Sequence, residues 1–497
     1  MLQGILIGLQ NVFTPINLLF IIVGVAWGTI GGMIPGINST IAMALLLPFT
    51  YPMDHTSAVL LLAGVYCGGE YGGSIPAILI GTPGTNAAAC TVIDGYPLMK
   101  KGRPGMALYT SLMASCFGGL FGAAVLLFTA VPLATVALAF GPAEYFALAF
   151  LGLSMVCSLG EKNVFKGIIA GFLGILMATI GFDTFTGAKR YTFGVRDLSG
   201  GISQVALMMG LYAITEMFDQ ARLYRESRDL VIEEQEVDMK FPKLSEITPL
   251  LPTMLGCSAL GTVIGVMPGA GATAASFLAY TEVKQLSKET DFGEGNPKGV
   301  AAPESANNAV TGGAMVPLLA LGIPGSNSTA IMLAALSIHN VHCGPMLFQS
   351  NPEIPYGIFI SLFVANLVMF FVGFFCIKCA MQISKIPKPV LIAVVITLVF
   401  TGAFAYSGEI FSMYVALAVG LAGVVLRKFE IPSAAIVLGF VLGEIMEANL
   451  RRALIISLGS YWGAFTNSTL SSVLLAFALV SIVVSLFNNI KRKKALI

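Results

Sequence analysis

The chain has 497 residues, of which 56% are hydrophobic and 11% charged, with a mean hydropathy of +0.85; a soluble domain carries about 25% charged residues. A net charge of +1 leaves no electrostatic footprint for nucleic acid. The composition is that of an all-α polytopic membrane protein, and recurring apolar stretches, each long enough to cross ~30 Å of hydrocarbon, predict about ten to twelve transmembrane helices, some broken or re-entrant.

In chain order, the opening apolar run (residues 1–27) lacks a basic n-region and a small-residue cleavage site, and reads as a retained span. Within the next run, "GTIGGMIPGINSTIA" (residues 28–42), Pro35 and Gly36 interrupt the helix. "GTPGTNAAA", from Gly81, repeats the device at Pro83 and Gly84. A strongly charged stretch, residues 219–246, reads as a linker outside the bilayer. Beyond it both devices return in the same order. "GTVIGVMPGAGATAA", from Gly261, breaks at Pro268 and Gly269, and "GIPGSNSTA", from Gly322, breaks at Pro324 and Gly325. Offsets of 233 and 241 residues align the two pairs. The pattern predicts repeat 1 over residues 1–218, the linker, repeat 2 over 247–465, and a terminal transmembrane helix with the tail "KRKK" over 466–497. That tail places the C-terminus in the cytoplasm.

Basic loops alternate between the copies. Lys100, Lys101 and Arg103 mark a loop whose equivalent near residue 340 has neither Lys nor Arg, while Lys378, Lys385 and Lys388 mark one whose equivalent near residues 131–144 has none. Lys162 with Lys166, and Arg427 with Lys428, alternate in the same way. Since Lys and Arg collect on the cytoplasmic side, equivalent loops are expected on opposite sides, which makes the copies inverted-topology repeats.

Proline removes a helical hydrogen bond and glycine admits non-helical dihedrals. At membrane depth such backbone survives only where protein buries it or where it lines a wet cavity. Four breaks in two related pairs therefore point to a transport site at the repeat interface. Small polar residues follow the breaks, and Asn38, Thr40, Thr85, Asn86, Thr273, Ser326, Asn327 and Ser328 are the candidate solute ligands. Residues 1–99 and 299–377 contain no Lys or Arg. An anionic solute there depends on half-helix N–H groups and neutral side chains, and the "PGTN" and "PGSN" turns are expected to approach each other. Gly28 with Gly32, Gly118 with Gly122 and Gly167 with Gly171 read as packing glycines.

Glu70, Asp94 and Glu304 lie in or beside apolar runs and, with Asn307 and Asn308, are candidates for coupling to a cation; capping is the competing role for Glu304. No metal site or other cofactor is expected, since the eight cysteines are scattered and His339 and His342 sit in a loop pattern. Neither a His-Glu-x-x-His nor a nucleophile-elbow motif occurs, so no enzyme is expected. A passive organic-anion channel and a membrane scaffold are the alternatives to a carrier.

The duplicated "GxxPG" segments, "GTPGTNAAACTVIDGYPLMKKGRPG", "GFDTFTGAKRYTFG" and "AAPESANNAVTGGAMVPLLALGIPGSNS" resemble the large membrane subunit of the tripartite tricarboxylate transporters over almost the whole chain. The resemblance implies a secondary transporter of the bacterial inner membrane. Its implied partners are a small four-helix membrane subunit and a periplasmic solute-binding protein. Its implied solutes are carboxylates such as citrate and related organic acids, driven by a Na⁺ or H⁺ gradient.

Overall fold

The structure, a computed structural model, describes residues 2–34, 36–159, 164–183, 185–226, 240–269, 271–383, 388–466 and 468–495. Pro35 of the first break, Lys162 and Lys385 of the basic loops, and residues 227–239 of the expected linker lie outside the described residues.

Short polar signals start the helices that matter most. Asp54 accepts from the N–H groups of Thr56 (2.9 Å) and Ser57 (3.2 Å) and begins His55–Gly72. Asn296, followed by a proline at the first helical position, accepts from the N–H of Lys298 (2.8 Å) and begins Pro297–Leu321. Both runs end on a left-handed glycine: Gly81 (φ +66°), after the continuation Ser74–Ile80, and Gly322 (φ +73°).

Among the described residues eight helices are long and apolar enough to cross a bilayer, and five shorter apolar helices accompany them, including Pro142–Val156 and Val164–Ala178. The long helices His55–Gly72 and Pro297–Leu321 are not among the eight. Every residue from Thr56 to Gly72 and from Gly299 to Ala320 is buried. A helix enclosed on all faces presents nothing to lipid, so these two can carry Glu70 and Glu304 without exposing them to hydrocarbon.

Glycines let neighbouring helices close on this centre. Pro15–Met33 packs on His55–Gly72 so tightly that a Cβ at Gly28 would stand 2.2 Å from the Val65 carbonyl oxygen, and one at Gly32 would stand 2.7 Å from that of Gly69. Leu251–Val266 packs likewise on Pro297–Leu321: Gly261 would meet the oxygen of Ala306 at 2.2 Å and Gly265 that of Val310 at 3.0 Å. Pro104–Ala137 crosses Pro297–Leu321 at Gly118, whose Cβ would lie 2.1 Å from the Ser305 oxygen. Glu353–Ile383 closes the group, with Phe371 and Phe375 on its exposed side.

Element order runs through one series twice. Pro15–Met33, Ser39–Leu46, His55–Gly72 with Ser74–Ile80, Ala89–Lys100, Pro104–Ala137, Pro142–Leu159, Val164–Ala178 and the helical run 204–226 come first. Leu251–Val266, Gly271–Leu286, Pro297–Leu321, Asn327–Ile338, Glu353–Ile383, Lys388–Ser407, Ile410–Lys428 and Ser433–Ile456 follow, and Thr469–Ala495 stands after both. Thr215–Glu226 runs on past residue 218, so the first eight residues of the expected linker are helical. The described strands are two-residue pieces, Gly181–Phe182 antiparallel to Lys189–Arg190. Ion pairs brace this hairpin: Arg451 bonds Asp183 (2.9 and 3.0 Å) and Glu447 (2.6 Å), and Arg190 bonds Glu447 (2.6 Å).

Replacing Gly28 with Ala drives a methyl group into backbone that cannot yield, whereas Gly256 has open space at its Cβ position. Gly28→Ala should cost about 1–3 kcal/mol. It should lower the melting temperature of the detergent-solubilised protein by several degrees, while Gly256→Ala leaves it unchanged or slightly raised. Equal behaviour of the two variants would contradict this packing.

Candidate functional site

The breaks turn the backbone in two matched ways. At the first, Ile34 (φ −91°, ψ 114°) leads into Gly36 at φ +96°; at the third, Met267 (φ −80°, ψ 114°) leads into Gly269 at φ +83°. Positive φ at these positions is what glycine supplies. At the second break the chain overshoots to Ile80 and then folds back, so that Gly84 N–H donates to the Gly73 carbonyl (3.0 Å) and its Cα faces Gly32, whose oxygen would lie 2.0 Å from a Cβ. A Cβ at Gly325, at the fourth break, would likewise stand 2.7 Å from the Gly265 oxygen and 2.9 Å from the Ala314 Cα. The Gly325 carbonyl accepts from Gly269 N–H (3.1 Å). Breaks one and two thus meet, as do breaks three and four.

Hydroxyl groups then join the halves. Ser328 Oγ lies 3.1 Å from Ser39 Oγ and 3.0 Å from Thr40 Oγ1, and Ser326 Oγ lies 3.1 Å from the Tyr66 hydroxyl. The fourth break is therefore bonded to the start of the half-helix that follows the first. On the other junction Cys90 Sγ approaches the Ser276 carbonyl (3.5 Å). Among the described residues no hydrogen bond joins the "PGTN" turn to the "PGSN" turn.

Capping uses part of this polar inventory. Asn38 Oδ1 accepts from Ile41 N–H (2.9 Å), Thr85 Oγ1 from Ala88 N–H (3.3 Å) and Ser326 Oγ from Thr329 N–H (3.2 Å), with Thr329 returning a bond to Ser326 N–H. The N–H groups of Thr40, Asn327 and Ser328 keep no acceptor among the described residues, as expected in a first helical turn. Thr40, Thr85 and Ser328 are buried, Asn38, Ser326 and Asn327 half-buried, and Asn86 and Thr273 exposed. Pro324 is buried; Pro83 and Pro268 are half-buried.

The three acidic candidates have different surroundings. Glu70 is 7% exposed, and its Oε1 accepts from Ser39 Oγ at 2.6 Å. Asn307 donates to the Glu70 backbone carbonyl (3.1 Å), leaving its own Oδ1 buried and unpaired. Glu304 is 1% exposed; Thr91 Oγ1 donates to its Oε1 and Ser115 Oγ to its Oε2 (3.0 Å). Asn308, one turn on, donates to the Glu304 carbonyl (3.2 Å), and its Oδ1 is likewise unpaired. Among the described residues neither carboxylate has a cationic partner. Asp94, in contrast, is saturated: its Oδ1 accepts from the N–H groups of Gly293 (2.9 Å), Gly295 (2.8 Å) and Asn296 (2.7 Å), and its Oδ2 from the Tyr280 hydroxyl (2.9 Å). It pins the loop before Pro297–Leu321 to the half-helix Ala89–Lys100. Tyr66, Thr91 and Ser115 were not singled out from the sequence. Polar side chains within apolar runs were their only signal, with Tyr66 one turn before Glu70.

A family model matches residues 18–438, under the description "Tripartite tricarboxylate transporter TctA family". The chain belongs to that family. An uncharacterized 52.8 kDa protein in the TAR-I ttuC' 3'region of Agrobacterium vitis is 35% identical over 495 residues, covering 99% of this chain and 98% of the relative. A second uncharacterized protein, in the TAR-II ttuC' 3'region of the same organism, is 34% identical over 235 residues, 47% of this chain and 97% of its own length. No solved structure matches. TctA membership and the apolar helices make the chain a multi-pass subunit of a tricarboxylate transporter.

Asp94→Ala would leave buried N–H groups without an acceptor, at about 1–3 kcal/mol each. It should lower folded yield and melting temperature sharply. Asp94→Asn keeps an oxygen for the three N–H groups and should retain most of both, together with transport. Loss of transport in Asp94→Asn with normal folding would instead give Asp94 a part in ion coupling.

Proposed function

We propose that this subunit is the large permease of a binding-protein-dependent system that imports tricarboxylates or related organic acids across the bacterial inner membrane. Its partners are a small four-helix membrane subunit and a periplasmic solute-binding protein, and a Na⁺ or H⁺ gradient drives it. The observation that carries the reading is the junction where Ser326 and Ser328, after the fourth break, meet Tyr66, Ser39 and Thr40, at and beyond the first. Two half-helix N-termini, each equivalent to roughly half a positive charge, converge there in a region without Lys or Arg. A solute carboxylate placed between them meets N–H and O–H donors from both halves. Net anion entry against a negative-inside potential requires compensating cations, at ~2.3 kcal/mol per charge per 100 mV.

Two copies of inverted topology provide the frame for alternating access. Supporting this, Gly28 faces Val65 as Gly261 faces Ala306, and Gly84 faces Gly32 and Gly73 as Gly325 faces Gly265 and Ala314, at the offsets that align the motifs. The salt bridge Lys166–Glu430 (2.5 Å) brings the start of Val164–Ala178 beside the end of Ile410–Lys428, the helix in the same place of the second series.

Three measurements test these proposals. Asn327→Ala should weaken apparent citrate affinity at least tenfold, the effect of losing a charge-assisted hydrogen bond of ~1.5–3 kcal/mol, with insertion intact; unchanged affinity would move the solute elsewhere. In a cysteine-free background, single cysteines at Lys101 and Met346, both exposed, should react with an impermeant thiol reagent from opposite sides of the membrane. Labelling from one side would rule out inverted copies. Uptake in proteoliposomes that ignores both Na⁺ and H⁺ gradients would remove the coupling.

A further inference from the structure

The junction between the first and fourth breaks already contains a carboxyl group, that of Glu70. Ser39, the first residue of Ser39–Leu46, donates its hydroxyl to Glu70 at 2.6 Å, and the same oxygen lies 3.1 Å from the hydroxyl of Ser328, in the first turn of Asn327–Ile338. Thr40 completes the bridge through Ser328 at 3.0 Å. Beside the carboxyl, Asn307 is 1% exposed, with its nitrogen on the Glu70 carbonyl and its oxygen without a partner. The groups proposed above to hold a solute carboxylate are thus the groups that Glu70 engages.

We infer that Glu70 is a tethered competitor for the solute. Ionised, it holds Ser39 and, through it, Ser328, and its charge excludes a second carboxylate; protonated, it releases these donors, so that a proton enters with the anion. Two carboxylates cannot both stay ionised at such a distance in a buried site without a cation. No fixed cation is at hand. On the Glu70 helix the facing titratable groups are Tyr66, Cys67 and Tyr71, with Asp54 and His55 at its far end. Pro297–Leu321 brings Glu304, with Lys298 at its start paired to Glu289 (2.6 Å), and Pro104–Ala137 brings Tyr109 and Cys116. Glu353–Ile383 brings Cys376, with Glu353, Tyr356, Lys378 and Cys379 towards its ends. Pro15–Met33, Ser39–Leu46, Ser74–Ile80 and Asn327–Ile338 bring none. The proton is taken by the Glu70 carboxylate from the compartment of loading and given up, after the solute has left, on the other side.

The inference rests on the solute position proposed above, and its test separates the two. Citrate is the probe, and its dissociation constant for the purified full-length protein is read by thermal stabilisation at about pH 5.5 and about pH 8. Since citrate itself gains protons over this interval, the diagnostic quantity is the ratio of wild-type to Glu70→Gln dissociation constants at each pH. The glutamine cannot ionise, so the ratio should be near one at the lower pH and at least fivefold at the higher. Accumulation driven by a pH gradient in proteoliposomes should be lost in Glu70→Gln. A ratio equal at both values, or a wild type that binds citrate independently of pH but only with Na⁺, would overturn the inference while leaving the site in place. Absence of any citrate response in the wild type would overturn the solute position proposed above and this inference with it. If Glu70→Gln does not fold, Glu70→Ala replaces it, with the same ratio expected at each pH, and a wild-type pH profile in Glu70→Ala would overturn the competition.

Discussion

A backbone amide left open inside ~30 Å of hydrocarbon costs several kcal/mol, and the four helix breaks depend on how that cost is met. Here the interrupted segments satisfy and shield one another. Gly84 N–H bonds the Gly73 carbonyl while its Cα closes on Gly32, and Gly269 N–H bonds the Gly325 carbonyl. Contacts this close exclude a side chain at Gly28, Gly32, Gly84 and Gly261 and leave little room for one at Gly265. The glycines therefore do two jobs that sequence inspection treats as rivals. They pack helices, and by packing them they make irregular backbone tolerable at membrane depth, which in turn allows half-helices to start in the interior.

Charge at this depth is handled without basic residues. Glu70 and Glu304 are enclosed by two helices buried on every face and rely on hydroxyl donors: Ser39 for one, Thr91 and Ser115 for the other. Hydroxyls suit this task because each can donate or accept after a small rotation. A lysine or arginine would hold either carboxylate permanently ionised and leave it nothing to exchange. The fixed ion pairs instead lie towards helix ends and loops, at Lys166–Glu430, Arg427–Glu216, Arg103–Glu246 and the Asp183 cluster, where they bind elements together.

Much of this was legible in the sequence, for identifiable reasons. Helical class and membrane setting follow from composition. The breaks announce themselves because Pro-Gly has few other uses inside an apolar run, and Glu70 and Glu304 because ionisable groups are costly there. Less legible was which break meets which. That pairing is set by the return of the chain from Ile80 to Gly84, a fold-back that no local signal encodes. Asp94 looks as unusual as Glu70 in the sequence, yet its partners are backbone N–H groups about 200 residues away at Gly293, Gly295 and Asn296. Backbone donors leave no compositional trace. Thr91 and Ser115 were obscured for a related reason: an isolated hydroxyl in a transmembrane run commonly bonds its own helix, as Ser305 does with Ala301, and only tertiary structure shows the exceptions.

Around the breaks the two halves share backbone contacts but not side-chain chemistry. At the offset that aligns the second and fourth breaks, Glu70 falls opposite Thr311, Glu304 opposite Ala63, and Tyr66 and Cys67 opposite Asn307 and Asn308. Each junction nevertheless holds one buried acid. Glu70 is bonded to the half-helix after the first break, and Glu304 to the half-helix after the second. Under the proposed alternating access, a matched backbone would let either junction part by the same kind of motion, since the glycine contacts recur. The acids make the two partings chemically different. In the proposed alternating access, opening a junction would take away the hydroxyl partners of its carboxylate and offer water instead, which would tie each opening to the charge state of its own glutamate. In the proposed cycle the two partings share a backbone geometry and differ in chemistry, while the direction of net transport is set by the gradients across the membrane and not by the asymmetry of the protein.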